Sequence, residues 1–329
     1  MIGYYIHHQG RGHLARAQAI CARLSRPVTV LTSLPDVPAE PFAAVVTLPA
    51  DDEAGTVTDV SADGALHWVP RRDDGLRTRM AALSAWIAAE RPAALVADVS
   101  VEVALLARLH GIPVVTVALP GERTDPAHVL VHRISDAIIA AWPGPLYRPE
   151  WLGAHRHKTG YVGGISRYST RPASGTRCRT AEPTILVLSG RGGSEFTAAT
   201  VRDTAERVPG CRWQTLGLES WTADPWPRLC DADLVVAHAG QGAVADIAAA
   251  GKPAVLIPAA RPFGEQHATA HAVAAAGLAV TVPHWPPPGR WPALIDRALT
   301  LGGEGWARWE VRGAPDRAAA TIAAVADRG

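Results

Sequence analysis

The 329-residue chain has almost no net charge: 32 Lys and Arg stand against 31 Asp and Glu, giving +1. Such a balance argues against a polyanion-binding protein, so no nucleic-acid partner is expected, and against an acidic disordered one. Cysteine is scarce. Cys21, Cys178, Cys211 and Cys230 form no Cys-x-x-Cys pair and have no histidine at zinc-ligand spacing. This excludes a disulfide framework and fits a reducing, cytoplasmic setting. No apolar run approaches bilayer length, and Met1-Ile2-Gly3-Tyr4-Tyr5-Ile6 runs into two histidines without the basic head of a signal peptide. A soluble intracellular protein is expected, with peripheral membrane contact left open. No Gly-Lys-Ser or Gly-Lys-Thr follows a glycine loop, which disfavours nucleoside triphosphate hydrolysis. No Asp-x-Asp stands where it could serve a metal, so no metal is expected.

Apolar residues make up 48% of the chain and charged ones 19%, enough for two packed cores at this length. Strand-like and helix-like segments alternate from end to end, the mark of βα units and parallel sheets. Strands are expected at residues 2–7, 28–32, 44–48, 94–98, 114–118 and 137–141, then at 184–188, 212–216, 234–238, 254–257 and 279–282. Helices are expected at 14–24, 76–90, 101–109, 196–207, 243–250, 266–276, 291–299 and 315–326. The stretch 142–183, rich in Pro, Gly and Arg, reads as an interdomain connection, giving domains 1–165 and 166–329. The fold class is α/β, with two doubly wound parallel-sheet domains. A second irregular stretch, 49–75, carries Asp51, Asp52, Glu53 and a His67-Trp68 pair; loops of this length in a compact domain are commonly functional.

Three glycine loops follow strands. The most informative is His238-Ala239-Gly240-Gln241-Gly242, between a β-branched run and a helix. Its glycines let backbone N–H groups converge beside a helix N-terminus, a place suited to a phosphate-like anion. Asp246 sits about one turn into that helix, within reach of a sugar hydroxyl beside the phosphate. The other loops are His7-His8-Gln9-Gly10-Arg11-Gly12-His13 and Ser189-Gly190-Arg191-Gly192-Gly193-Ser194. The first lacks a dinucleotide fingerprint, since Ala15 fills the third glycine position and no acid ends the second strand. Ligands of doubly wound sheets bind outside the strand carboxyl ends, so facing domains would bring all three loops to one cleft. There His13, at a helix start, is either a neutral base or a turn-capping residue. Asp98, ending a strand of the same sheet, either orients that histidine or caps the next helix. Of the neighbours, one of His7 and His8 is expected to point into the sheet and the other to lie beside phosphate.

Together these residues resemble the GT-B glycosyltransferases of family 28 and the UDP-glycosyltransferase superfamily. His238-Ala239-Gly240-Gln241-Gly242 is similar to the family's pyrophosphate loop, and Asp246 falls where an acid binds the ribose. Gly251-Lys252-Pro253 leads into a strand of the same kind. Pro262-Phe263-Gly264-Glu265-Gln266 resembles the acid–glutamine motif that holds the donor sugar. Glu265 replaces the commoner aspartate, and Thr269 stands where asparagine is usual. Gly12-His13 matches the loop whose histidine is the acceptor base, and Val96-Ala97-Asp98 the segment supplying its aspartate.

The resemblance implies an inverting, metal-independent transfer of a hexose from a UDP- or dTDP-sugar to the hydroxyl of a small-molecule acceptor. A natural product is expected, because enzymes of this kind often decorate them in GC-rich genomes, which the Ala-, Pro- and Arg-rich composition suggests. His13 and Asp98 would be catalytic. Gly12, Ser189, Gly190, Arg191, Gly193, Ser194, His238, Gly240, Gln241, Gly242, Asp246, Glu265 and Gln266 would bind the donor. Trp221 and Trp226 are candidates to stack on the base. No cofactor is implied, the nucleotide-sugar being a substrate. The helix from Pro315 is expected to pack back across the domains. Two other readings fit the same fold: a nucleotide-sugar 2-epimerase or hydrolase, and a non-catalytic nucleotide-sugar-binding subunit.

Overall fold

In the first half, tight apolar runs ending in a polar residue or glycine alternate with helices whose starts are marked by polar caps. A computed structural model describes residues 1–8, 11–52, 56–173, 182–190, 193–222 and 224–328. Its first sheet has seven parallel strands in the order β3-β2-β1-β4-β5-β6-β7. These are β1 (Ile2–Ile6), β2 (Val28–Thr32), β3 (Ala44–Thr47), β4 (Ala94–Asp98), β5 (Val114–Ala118), β6 (Ala137–Ala140) and β7 (Thr159–Tyr161). β1, β2, β4 and β5 are buried along their whole length, which explains their unbroken apolar character. The strand order reverses between β1 and β4, whose last residues pair as Ile6 and Asp98. That reversal opens a crevice at the carboxyl edge.

Helices cover both faces of this sheet. Ile2, Tyr4, Ile6 and Val96 pack on Leu14, Ala17 and Ile20 of α1 (Gly12–Cys21). Tyr5, Leu31 and Leu95 face Leu83 and Ile87 of α2 (Asp74–Glu90) and Val103 and Ala107 of α3 (Val101–Leu109). Asp73 caps α2 through Leu76 N at 2.6 Å, and Ser100 caps α3 through Val103 N at 3.2 Å. α4 (Pro126–Ile134) starts on an Asp125 cap with proline in its first turn.

The second sheet has five parallel strands in the order β12-β11-β10-β8-β9. They are β8 (Thr184–Leu188), β9 (Arg212–Leu216), β10 (Leu234–Ala237), β11 (Ala254–Leu256) and β12 (Val280–Thr281). Its reversal lies between β8 and β10. The helices are α5 (Ala198–Arg207), α6 (Trp226–Asp231), α7 (Gln241–Ala250), α8 (Glu265–Ala275) and α9 (Trp291–Leu301). α7 stops at Gly251, whose φ of 65° is left-handed and ends the helix without a Cβ penalty.

The final helix, α10 (Ala314–Ala326), returns to the first sheet, where Ala318, Ile322 and Val325 complete the core beside α1, under β4, β5 and β6. Fully burying Ile322 and Val325 contributes about 1.5–3 kcal/mol each. The two crossings between domains run side by side: Gly164 N donates to Trp309 O at 2.9 Å, and Arg317 donates twice to Val162 O, at 2.9 and 2.7 Å.

The expected strands and helices are all present with small shifts at their ends. The stretch from Trp142 is more ordered than a connection, however. Trp142 is buried, Glu150–Lys158 forms 3-10 turns and β7 adds an edge strand to the first sheet. α4 and α6 were not anticipated either. Among the described residues, no helix is long and apolar enough to cross a membrane.

Candidate active site

The two strand-order reversals supply the two walls of the site. On the first wall, α1 begins at Gly12 immediately after β1, and His13 projects towards the end of β4. His13 Nδ1 lies 3.1 Å from Asp98 Oδ1. Neither residue is a cap: the α1 cap position is Arg11 with no side-chain bond, and α3 is capped by Ser100. Between Asp98 and that cap, β-branched Val99 sits at φ 70°, a left-handed conformation costing roughly 1–3 kcal/mol. The strained residue turns the chain so that Asp98 faces α1 while Ser100 serves the helix.

Asp98 is fully buried. Burial alone would raise its carboxyl, but the Arg16 guanidinium and then His13 outweigh that and hold it well below the usual carboxylate range. Arg16 was missed from sequence. It donates through Nη2 to Asp98 Oδ1 at 2.5 Å and through Nε to Oδ2 at 3.2 Å, a bidentate pair. Its Nη2 also lies 2.9 Å from His13 Nδ1, and its Nη1 donates across the cleft to Gln241 Oε1 at 3.1 Å. The available signal was a cation three residues after His13, on the same helical face.

On the second wall, Gly240 precedes α7 in extended conformation and no side chain caps the helix. A Cβ on Gly242 would meet nothing within 4 Å, so the N–H groups of the first turn face open space with the positive end of the helix dipole. α8 likewise starts without a side-chain cap. These are the elements that can receive a diphosphate.

Asp246 is deeply placed on α7. Burial pushes its carboxyl up to about 6, partly offset by Ser166 and Arg167. Ser166 Oγ donates to Oδ1 at 2.6 Å, and Arg167 Nε lies 3.6 Å from Oδ2. Gln266 is buried and accepts Ala259 N through Oε1 at 2.9 Å, which leaves its amide nitrogen beside Gly240. Gly193 has a left-handed φ of 89°, while a Cβ on Gly12 or Gly190 would meet nothing within 4 Å. Ser189 is buried, its backbone in close contact with Gly217. Arg191 lies outside the described residues.

Several of these residues meet partners that the sequence did not show. His238 was expected to touch the leaving diphosphate, but both ring nitrogens are engaged within the protein. Nδ1 donates to Ile257 O at 2.7 Å, and Nε2 lies 3.0 Å from Ser194 Oγ and accepts Glu195 N at 3.4 Å. Burial lowers its pKa, so it is a neutral strut that fixes the 193–195 loop beside β10. Glu265 is held by the first domain: Arg123, itself buried, donates from Nη2 to Oε2 at 3.2 Å. Any contact of Glu265 with a sugar must be shared with that cation. His8 lies on the first wall, with Nε2 donating to Asp52 Oδ2 at 2.8 Å. His7 stacks on it, ring centroids 4.7 Å apart, and is lowered to about 4 by burial and then by His8. Trp226 packs on Tyr168 with centroids 4.8 Å apart, whereas Trp221 stands 57% exposed.

The 49–75 stretch lines a cavity of about 210 Å³ together with the ends of β1 and β4. Tyr5, His7, Asp51, Trp68, Arg79 and Glu102 form much of its wall. Trp68 Nε1 donates to Asp51 O at 2.7 Å, and Glu102 Oε1 accepts the backbone N–H of His67 and Trp68 at 2.8 and 3.1 Å. The cavity begins next to His13, whose ring centroid is 6.3 Å from that of His7. Among the described residues, two groups have ligand atoms close enough to hold a metal ion: His67, Asp125 and His128, and His8, Asp51 and Asp52. Asp125 already accepts from both its imidazoles, at 2.6 and 3.1 Å, and Asp52 from His8 at 2.8 Å, while Asp51 pairs with Arg79 at 2.8 Å.

Comparison with known proteins gives three kinds of likeness. Residues 223–284 match the glycosyltransferase family 28 C-terminal domain. A UDP-N-acetylglucosamine--N-acetylmuramyl-(pentapeptide) pyrophosphoryl-undecaprenol N-acetylglucosamine transferase of Leifsonia xyli subsp. xyli is 33% identical over 184 residues, covering 48% of this chain and 51% of the relative. The chain thus spans about half the length of the curated relatives it matches. Among solved structures, the glycotransferase of kitacinnamycin superposes with a TM-score of 0.68 at 18% identity, over 98% of this chain and 97% of that one. MurG of Acinetobacter baumannii gives 0.65 at 16%, over 98% and 99%. The fold is GT-B.

Proposed function

We propose that this GT-B protein, a member of the superfamily that joins glycosyltransferase family 28 and the UDP-glycosyltransferases, moves a hexose from a UDP- or dTDP-sugar to a hydroxyl of a small-molecule acceptor in the cytoplasm, with inversion. One observation carries the reading: the His13–Asp98 pair at the reversal point of one sheet, 3.1 Å apart, faces the uncapped N-terminus of α7 at the reversal point of the other. A base for the attacking oxygen and a dipole for the leaving diphosphate stand on opposite walls.

The acceptor lies in the cavity behind His7 and offers its hydroxyl to His13 Nε2. Asp98 accepts from Nδ1–H, which keeps the lone pair on Nε2 and stabilises the imidazolium once the proton arrives. The acceptor oxygen bonds to the anomeric carbon as the bond from that carbon to the diphosphate oxygen breaks. The electron pair leaves on the diphosphate, where the α7 N-terminus meets the growing charge. Attack opposite the leaving group inverts the configuration. The acidic lining of the cavity favours a small hydroxylated acceptor over a diphosphate-bearing lipid.

The test is incubation with UDP-sugars, first alone and then with panels of hydroxylated acceptors. A glycosylated product of inverted configuration supports the reading. Free sugar or an epimer formed without acceptor would instead indicate the hydrolase or 2-epimerase chemistry possible on this fold, and tight UDP binding without any turnover a binding subunit.

Two predictions concern the donor. Because the Asp246 carboxyl is held up near 6, its charged form, which accepts from the ribose hydroxyls, fills in as pH rises from 5 to 7. UDP affinity measured by calorimetry is expected to rise over that window beyond the rise shown by Asp246→Asn, whose affinity at pH 7 is about tenfold weaker. Parallel profiles would remove Asp246 from the ribose. Glu265→Gln is expected to cut turnover about tenfold or more while UDP alone binds within about twofold of wild type. Equal losses of both would make that loop a structural element.

A further inference from the structure

We propose that Arg16 is a positioning residue that makes the His13 base responsive to occupancy of the diphosphate site at α7, an assignment that rests on the transfer reading above. Arg16 touches every party. Its bidentate pair with Asp98 anchors it in the first domain, its Nη1 reaches Gln241 Oε1 at 3.1 Å, and its Nη2 lies 2.9 Å from His13 Nδ1. Gln241 is the first residue of α7, so the side chain gripping Arg16 stands where the donor phosphates would arrive.

Proton counting makes the contact consequential. A neutral imidazole carries one N–H and one lone pair. If Arg16 Nη2 donates to His13 Nδ1, the ring proton is on Nε2, and that nitrogen has no lone pair for an acceptor hydroxyl. If Nδ1 carries the proton, it donates to Asp98 Oδ1 at 3.1 Å and Nε2 is a base. In that second arrangement, however, Nη2–H and Nδ1–H oppose each other unless Arg16 moves aside. The two arrangements contain the same protons, and exchange with solvent interconverts them. Arg16 therefore selects between an idle ring and an active one.

Gln241 supplies the means of moving it. The Gln241 amide nitrogen is buried without a hydrogen-bond partner, an unfavourable state for a donor. A phosphate oxygen at the α7 N-terminus is the acceptor it lacks. Drawing the amide towards phosphate carries Oε1, and Arg16 Nη1 with it, away from the imidazole. The other groups facing this cluster do not replace the effect. His7 at the end of β1 is uncharged near neutrality, Asp98 on β4 is already paired with Arg16, and Glu265 at the start of α8 acts on Arg16 through space while bonded to Arg123. The base would be idle while the donor site is empty, and water in an open cleft would gain nothing from His13.

The test is ¹⁵N imidazole NMR on the full chain, with His13 assigned by comparison with His13→Gln. In wild type, His13 is expected to carry its proton on Nε2 without nucleotide and on Nδ1 with saturating UDP. In Gln241→Ala, which leaves the buried Asp98–Arg16 pair intact, UDP binding is expected to weaken, and UDP added to saturation of the weakened site should no longer change the ring. Arg16→Lys keeps a cation for Asp98 but not the fork. Without the fork at Nδ1, its His13 ring is expected to carry the proton on Nδ1 with and without UDP. One tautomer in wild type with and without UDP, or an equal UDP response in Gln241→Ala, overturns the proposal. If UDP switches the ring while no acceptor is ever glycosylated, the coupling stands and the transfer reading fails.

Discussion

Replacing His13 by alanine is expected to lower transfer to a hydroxyl acceptor by about 10²–10⁴-fold, the range general-base assistance contributes, with UDP affinity unchanged. The separation follows from the walls of the cleft: His13 belongs to α1 of the first domain, whereas the uncapped α7 and Asp246 belong to the second. Asp98→Asn is expected to be damaging but less completely so, since the amide can still orient the ring but offers no charge to the imidazolium. Near-normal turnover of His13→Ala at neutral pH would transfer the role to another histidine of the cavity, His7, His8 or His67.

The second large effect is on stability. Asp98→Ala should destabilise the protein by about 3–5 kcal/mol, because it leaves the Arg16 guanidinium buried and unpaired. Against a total stability of about 5–15 kcal/mol this is a major loss, visible as a lowered thermal midpoint. The double variant Asp98→Leu with Arg16→Met removes both charges and should recover most of it, as apolar replacement of a buried pair commonly does. The pH dependence has a definite sign. The folded carboxyl lies below its ordinary value, held there against burial by Arg16 and His13. Its contribution is therefore present in full above about pH 4, the unfolded value, and is lost as pH falls further towards the depressed folded value. Melts of wild type and Asp98→Ala should converge in acid, while the double variant keeps its stability there. A single variant within about 1 kcal/mol of wild type would mean the pair is not the anchor its geometry suggests.

Much of the fold was legible because the chemistry of parallel sheets is local. Val28-Thr29-Val30-Leu31-Thr32 and Ala94-Leu95-Val96-Ala97-Asp98 are buried on both faces and so advertise themselves. β7, only Thr-Gly-Tyr on the sheet edge, has no apolar run to see. α4 was overlooked although Asp125-Pro126 is a good helix start. His13, Asp98, Gly240 and Asp246 were legible as residue types at strand ends. Which groups they meet was not. Arg16 looked like an ordinary helix cation until β4 and α7 were brought against it, and His238 looked like a phosphate ligand until Ile257 and Ser194 took both its nitrogens. Arg123 carries no local pattern at all, its importance arising from Glu265, 142 residues away.

The return of α10 to the first sheet has a consequence for how the protein is made. During synthesis, the first domain emerges with the face of β4, β5 and β6 that will receive Ala318, Ile322 and Val325 still open. It cannot close that face until residues 314–326 have left the ribosome, after the whole second domain has appeared. Such long-range closure is slow, and the interval leaves an apolar strip on the nascent chain for a chaperone to hold. Messenger truncated before codon 314 should consequently yield a chain whose first domain is captured or aggregated, while its second domain, which draws little on α10, folds normally.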